Sequence, residues 1–195
     1  MTRWTSPLDV PPLVRWSEER RVSRNRRREL PHRTLLLGSG GISLLILTIA
    51  MPSAPRLIWN ASASVPLGLY GVTPGTSPIV GDMVVSWPPE AVRSLASSRH
   101  YLPKTVPLIK RVAAGAGNVV CARGPNVTIN GREFARRLAR DGNGRPLPWW
   151  CGCRLLQVGE YFLGMAGVAT SFDGRYFGVT IRTDIIGKAR PLWTR

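Results

Sequence analysis

Histidine, lysine and acidic residues are all scarce in this 195-residue chain. Two histidines, His32 and His100, and three lysines, Lys104, Lys110 and Lys188, stand beside 24 arginines. Neutral general bases are therefore few, because arginine does not give up its proton. A Ser-His-Asp triad would have to use His100, in a Ser- and Arg-rich loop, which disfavours that chemistry. Three cysteines, at 121, 151 and 153, have no histidine near them, which argues against a zinc site. They allow one disulfide and one free thiol. Cys151-Gly152-Cys153 is too tight for an easy internal bridge, leaving Cys121–Cys153 or Cys121–Cys151. Internal repeats and low-complexity tracts are absent too.

What is present narrows the class. An apolar fraction of 44% argues against full-length disorder. The 20 glycines and 17 prolines argue against a helix bundle and for a turn-rich, mainly β architecture. The length suits one ordinary domain with an appendage. A net charge of +16 points first to nucleic acid.

The distribution of that charge changes its meaning. Residues 1–33 carry nine arginines and four acids, six of the arginines between Arg20 and Arg28. An uncharged apolar run of 18 residues follows, Thr34 to Met51. As a helix it would span roughly 27 Å, about the thickness of a hydrocarbon core. Pro52 and Pro55 end it. A cleaved signal peptide is the alternative, but the basic region before it is long and the Ala61-Ser62-Ala63 pattern lies too far downstream. We therefore expect a basic cytoplasmic tail over 1–33, a transmembrane anchor over 34–52, and an exported domain over 53–195. Positive residues stay inside, so the chain is expected to be single-pass in the inner membrane with a periplasmic domain. Topology and anionic lipid then account for the arginine cluster, and nucleic acid is not expected as a partner.

Short strands are expected over Ile79–Ser86, Leu108–Ala113, Asn118–Ala122, Val158–Met165 and Tyr176–Ile181, with Ile185–Leu192 as a closing edge strand. Asn130-Gly131 predicts a hairpin between Asn126–Ile129 and Arg132–Phe134. Residues 123–154 read as a hairpin and flap excursion, and 88–104 as a loop with a short helix.

With so few bases, a Ser–Lys dyad is the economical catalyst. Lys110 sits in PLIKRVAA, where period-two alternation puts it on one face with Leu108 and Val112. A charged amine is costly there. Ser64 lies in Asn60-Ala-Ser-Ala-Ser-Val-Pro66-Leu-Gly68, where Pro66 and Gly68 shape an extended-then-turned path. That path can present its hydroxyl and backbone N–H to a carbonyl, with Ser62 as a second donor. Read without function, the same stretch is a flexible small-residue linker, and Lys110 a snorkelling edge residue.

Four segments in order resemble the boxes of the Ser/Lys signal peptidases: Ser64-Val-Pro66, Gly81-Asp82-Met83-Val84-Val85, Lys110-Arg111-Val112, and Ser171-Phe-Asp173-Gly-Arg175-Tyr-Phe-Gly178. The wording of the first and last is most like the TraF-type conjugative-transfer peptidases. The resemblance covers residues 57–192. It implies a signal-peptidase-like β fold with its site near the bilayer, Ser64 as nucleophile and neutral Lys110 as general base. It further suggests Ser62 as oxyanion donor and Ser171 as the hydroxyl orienting Lys110. Asp173 matches an acid of the family, and a salt bridge with Arg175 is its expected physical role. No cofactor or metal is implied. The implied substrate is an exported precursor such as a conjugative pilin, matured by acyl transfer to water or to the chain's own amine. Gly174 departs from the family's usual Ser, and Gly117-Asn118 from its usual Gly-Asp.

Two further readings stand beside this one. A general leader peptidase would use the same chemistry, but the chain lacks room for a large second β domain and second anchor. A structural subunit of a conjugation or secretion channel would need neither Ser64 nor Lys110.

Overall fold

The computed structural model describes residues 32–50 and 54–195, in two units that divide at Ser53. The basic tail expected over 1–33 lies almost wholly outside the described residues, as do positions 51–52 of the expected anchor. In the first unit, helix α1 (His32–Ala50) runs 19 residues through the uncharged stretch. Its side chains from Thr34 to Thr48 are exposed. Glycines 38, 40 and 41 and serines 39 and 43 dilute its apolar character. Among the described residues no helix is long and apolar enough to cross a membrane.

The second unit is mainly β. Its large antiparallel sheet has seven strands in the order β1 (Leu57–Asn60), β2 (Gly68–Pro74), β11 (Ile185–Thr194), β3 (Met83–Ser86), β4 (Leu108–Ala114), β9 (Glu160–Gly164) and β10 (Val179–Ile181). A second sheet has four strands in the order β7 (Arg132–Arg136), β6 (Asn126–Ile129), β5 (Val119–Arg123) and β8 (Gly152–Leu155). Helix α2 (Glu90–Ser98) links β3 to β4, and a single helical turn, α3 (Gly174–Phe177), precedes β10.

Both faces of the large sheet are covered around β4. Ile109 packs with Val65, Tyr70, Val72 and Val85 on one face. Val112 packs with Val84, Leu163 and Ile185 on the other. Between the sheets, Ala114 and Phe162 meet Val120, Ala122, Val127 and Leu156. Each fully buried aliphatic side chain stabilises by roughly 1.5–3 kcal/mol.

Several expectations need correction. Residues 185–192 are not an edge: β11 lies between β2 and β3. Pro191 misled because proline favours edges. In fact β3 pairs β11 only as far as Lys188, so Pro191 falls where the strand has one neighbour, beside a register shift. Residues 176–181 are not one strand. Asp173 caps α3 by accepting from Arg175 N, and Gly178, at φ 79°, turns the chain before β10 begins. Residues 79–82 form a turn rather than strand, closed by Asp82 Oδ2 accepting from Ile79 N at 2.9 Å. Within residues 123–154 the hairpin expected at Asn130-Gly131 is present as β6 and β7, and the loop after β7 carries only an isolated bridge, Arg140 with Pro146.

Cys121 and Cys153 face each other across β5 and β8 and form a disulfide with a Cα separation of 4.0 Å. Cys151 is free and exposed. The bond closes a sequence separation of 32 residues, which corresponds to about 3–4 kcal/mol of loop-closure entropy. Reduction is expected to lower the denaturation midpoint accordingly, measured in urea with and without reductant. An unchanged midpoint would show that the link contributes nothing.

Candidate active site

The β1–β2 hairpin carries Ser64. Its ladder closes at the pair Asn60–Gly68, and residues 61–67 form the loop between. Gly68 has φ 147°, and a Cβ there would lie 2.0 Å from the Trp193 carbonyl oxygen. Only glycine lets β2 start so close to β11. Within the loop, Ser62 Oγ lies 2.8 Å from Ser64 Oγ. The same oxygen accepts from Ser64 N at 3.4 Å.

The middle of β4 delivers Lys110. It pairs with Val84 of β3 and shares a face with Leu108 and Val112. The residue is only 2% exposed. Its Nζ lies 2.5 Å from Ser64 Oγ and 3.0 Å from Ser171 Oγ. Arg111, next in the chain, points the other way and donates to Gly81 O at 2.7 Å. Burial pushes the Lys110 amine down to about 8; the Asp173 carboxylate works against this, and the Arg175 guanidinium adds to it. Arginine at this position would stay charged.

Asp173 and Arg175 form a fully buried pair behind the amine. Arg175 Nε donates to Asp173 Oδ1 at 2.8 Å and Nη2 to Oδ2 at 3.1 Å. Asp173 Oδ2 also accepts from Met165 N, and Arg175 Nη2 donates to Met165 O at 2.8 Å. The pair thus ties α3 to the chain leaving β9, and the segment between them carries Ser171. No described hydrogen bond joins Asp173 to Ser64 or Lys110, so its influence on the amine is electrostatic.

The two departures noted in the sequence have local explanations. A Cβ on Gly174 would lie 2.7 Å from Leu163 O and 2.9 Å from the Phe162 ring. The close approach of α3 to β9 is what excludes serine there. Asn118 Oδ1 accepts from Gly115 N at 3.0 Å, a contact an aspartate could make equally well.

A cavity of about 320 Å³ opens from the Ser64–Lys110–Ser171 cluster. Leu108 of β4, Phe172 and Tyr176 line it together with Leu138 and Leu147 of the loop after β7, and Leu138 N donates to Tyr176 OH at 3.0 Å. That loop is held by Asp141, which accepts from Tyr101 OH and, within the loop, from Arg145 Nε at 2.7 Å. Residues of this loop between Leu138 and Leu147 therefore reach the site.

The structure brings Ser62, Ser64, Lys110 and Ser171 together, with Asp173 and Arg175 immediately behind. Sequence reasoning did not single out Asn60, Tyr101 or Asp141. An Asn ending a β segment before a run of small residues was a visible sign for the first; the other two come from loops without a pattern. Among the described residues no group of three or more His, Cys, Asp or Glu is placed to hold a metal ion.

The family model and the sequence relatives point to one family. The family model for signal peptidase, peptidase S26, matches residues 33–193. A plasmid transfer protein TraF of Escherichia coli is 33% identical over 172 residues, covering 80% of this chain and 92% of its own length. A probable conjugal transfer protein TraF of Sinorhizobium fredii is 33% identical over 190 residues, covering 89% of this chain and 95% of its own. A conjugal transfer protein TraF of Agrobacterium tumefaciens is 32% identical over 176 residues, covering 84% and 97%. A signal peptidase I from Enterococcus faecalis aligns at 18% identity and a TM-score of 0.33, over 58% of this chain and 97% of that one, too distant to bear on the site. By the span of the family match and the identity to these relatives, the chain belongs to the peptidase S26 signal peptidase family.

Proposed function

We propose that this protein is a membrane-anchored serine endopeptidase that matures an exported precursor for conjugation, a pilin precursor above all. The observation that carries the reading is a buried lysine amine 2.5 Å from a serine hydroxyl at the mouth of a cleft. Support for the conjugative setting comes from the relatives, which are plasmid and conjugal transfer proteins.

In this reading the neutral Lys110 amine takes the Ser64 proton as the serine oxygen attacks the scissile carbonyl. Ser171 orients the amine by accepting from it at 3.0 Å. The tetrahedral oxyanion forms beside the Ser64 N–H and the Ser62 hydroxyl, which turns from Ser64 Oγ to donate to it. The Lys110 ammonium then returns the proton to the leaving amine, and an acyl-enzyme on Ser64 remains. Neutral Lys110 next activates the acceptor. Water gives a linear product; the precursor's own amine gives a closed chain. The proposed anchor is the stretch 34–52, which runs two residues past the described helix, with the tail cytoplasmic and the catalytic unit periplasmic. The uncharged run and the basic flank before it support this topology. The bilayer and the precursor are the partners, alongside other conjugation proteins.

The test is co-expression with a candidate pilin precursor in membranes, following precursor mass. Loss of an N-terminal leader, with water as the acceptor, or loss of a C-terminal peptide plus one water, with the chain's own amine as the acceptor, supports the reading. An unchanged precursor mass, with the chain present and folded, contradicts it.

The state of Lys110 sets the pH dependence. Its active form is neutral and its pKa lies at about 8, so kcat/KM is expected to rise with pH and level off above that value. Stability follows the same sign. The unfolded amine keeps its proton to about 10.4, so between the two values the unfolded chain binds more protons and raising pH stabilises the fold. A rate flat from pH 6 to 10 would contradict a lysine base.

A further inference from the structure

We infer that Asn60 is the positioning residue of the nucleophile loop: its carboxamide fixes where Ser64 sits relative to Lys110. This rests on the reading of Ser64 and Lys110 as the catalytic dyad.

The β1–β2 ladder ends at the Asn60–Gly68 pair, so the strands cannot set the path of residues 61–67. One side chain does so instead. Asn60 is 5% exposed, and its amide points into the loop it precedes. Nδ2 donates to Ser62 O at 2.9 Å, Val65 O at 3.1 Å and Pro66 O at 3.0 Å. Oδ1 accepts from Ser62 N at 3.1 Å. A carboxamide has two N–H donors, so one is shared between two carbonyls. These contacts grip the chain before Ser64 and after it, leaving the nucleophile at the crest. Tyr70 adds a second hold, donating from its hydroxyl to Pro66 O at 2.9 Å.

The residue type is specific. Aspartate is an acceptor only and would face three carbonyl oxygens. Alanine would remove the donor to Ser62 O and to the buried Val65 O, leaving only the Tyr70 hydroxyl on Pro66 O. Asn60 itself makes no described contact with Ser64 Oγ or Lys110 Nζ, so its effect on the reaction passes through the loop.

The loop also encloses the base. Ser64 covers the Lys110 amine on one side, Ser171 contacts it on another, and Asp173 and Arg175 are the charged groups that act on it. A loop that drifts lets water reach the amine. Its pKa then climbs back toward the ordinary lysine value, and the acid limb of the rate profile moves to higher pH.

The experiment compares full-length wild type, Asn60→Asp and Asn60→Ala in membranes on the precursor, with pH profiles and thermal unfolding in parallel. Both variants are expected to lose about 10–100-fold in kcat, the cost of a displaced nucleophile, with KM within about twofold. Both should also move the acid limb upward. Wild-type kcat and an unmoved limb would overturn the inference, as would activity lost only in proportion to the unfolded fraction. If Asn60→Ala does not fold, Asn60→Asp is compared with Tyr70→Phe, which removes only the second hold on Pro66. The inference then stands if Asn60→Asp loses more kcat than Tyr70→Phe at a pH above both acid limbs, where the added charge no longer alters the protonation of Lys110, and falls otherwise. Ser64→Ala separates this from the underlying reading: if that variant still processes precursor, the dyad fails and the inference with it. If it is inactive while both Asn60 variants behave as wild type, the inference alone fails.

Discussion

Ser64→Ala and Lys110→Met should each reduce precursor processing by at least about 10³-fold, and the double variant should be no worse than either alone. A nucleophile and its base act as one unit, so removing either removes the shared step. Lys110→Met is the sharper of the two. Methionine conserves much of the volume and removes an amine that is 2% exposed among Leu108, Val84 and Val112. Replacing a buried ionisable group with an apolar one of similar size is neutral or stabilising. Activity should therefore collapse while the thermal midpoint holds or rises. Lys110→Arg should be just as inactive and less stable, because the guanidinium stays charged where the amine can shed its proton. Timed mass spectra of the precursor and a melting curve for each variant decide the matter. Processing that survives either Ser64→Ala or Lys110→Met rules out the dyad.

Asp173→Ala should give the largest stability loss of any single change near the site, about 3–5 kcal/mol. The reason is what remains. Arg175 is 1% exposed and would keep its charge without the carboxylate that accepts from its side-chain nitrogens and its backbone N–H. Met165 N would lose its acceptor as well. Removing both charges, in Asp173→Leu with Arg175→Met, should recover part of the loss, since a buried pair adds little over well-packed apolar groups. Asp173→Asn has a second, kinetic signature. The carboxylate raises the Lys110 pKa and the guanidinium lowers it, so neutralising Asp173 should move the acid limb of the rate profile downward. Urea denaturation measures the first effect. A loss under about 1 kcal/mol would mean that Arg175 finds another partner or water.

The features that were legible in the sequence share a cause: they rest on local chemistry. Lys110 stood out because an alternating apolar strand placed an amine where charge is expensive. The disulfide was narrowed to two pairings by the shortness of Cys151-Gly152-Cys153, and the register of β5 with β8 selects Cys153. What stayed hidden depends on pairing between distant segments. Nothing local in residues 185–194 says that two strands flank them, and Pro191 spoke for the opposite. The nucleophile segment reads as a small-residue linker because its order comes from side-chain bonds of Asn60 and Tyr70, not from a ladder with a periodic signature. The cleft wall from residues 138–147 was unreadable for a similar reason. It is held by Tyr101 and Arg145 on Asp141, contacts that no spacing announces.

The position of β11 has a consequence for biosynthesis. In the large sheet the hairpin bearing Ser64 connects to the strands bearing Lys110 only through β11. That strand is the last of the eleven to leave the ribosome. Until it arrives, β2 has no neighbour on its inner side and the two halves of the catalytic pair belong to separate pieces of sheet. On the proposed reading, a nascent chain is thus latent. If Ser64 and Lys110 act as proposed, the ability to cut arises only once the final strand occupies the gap between β2 and β3.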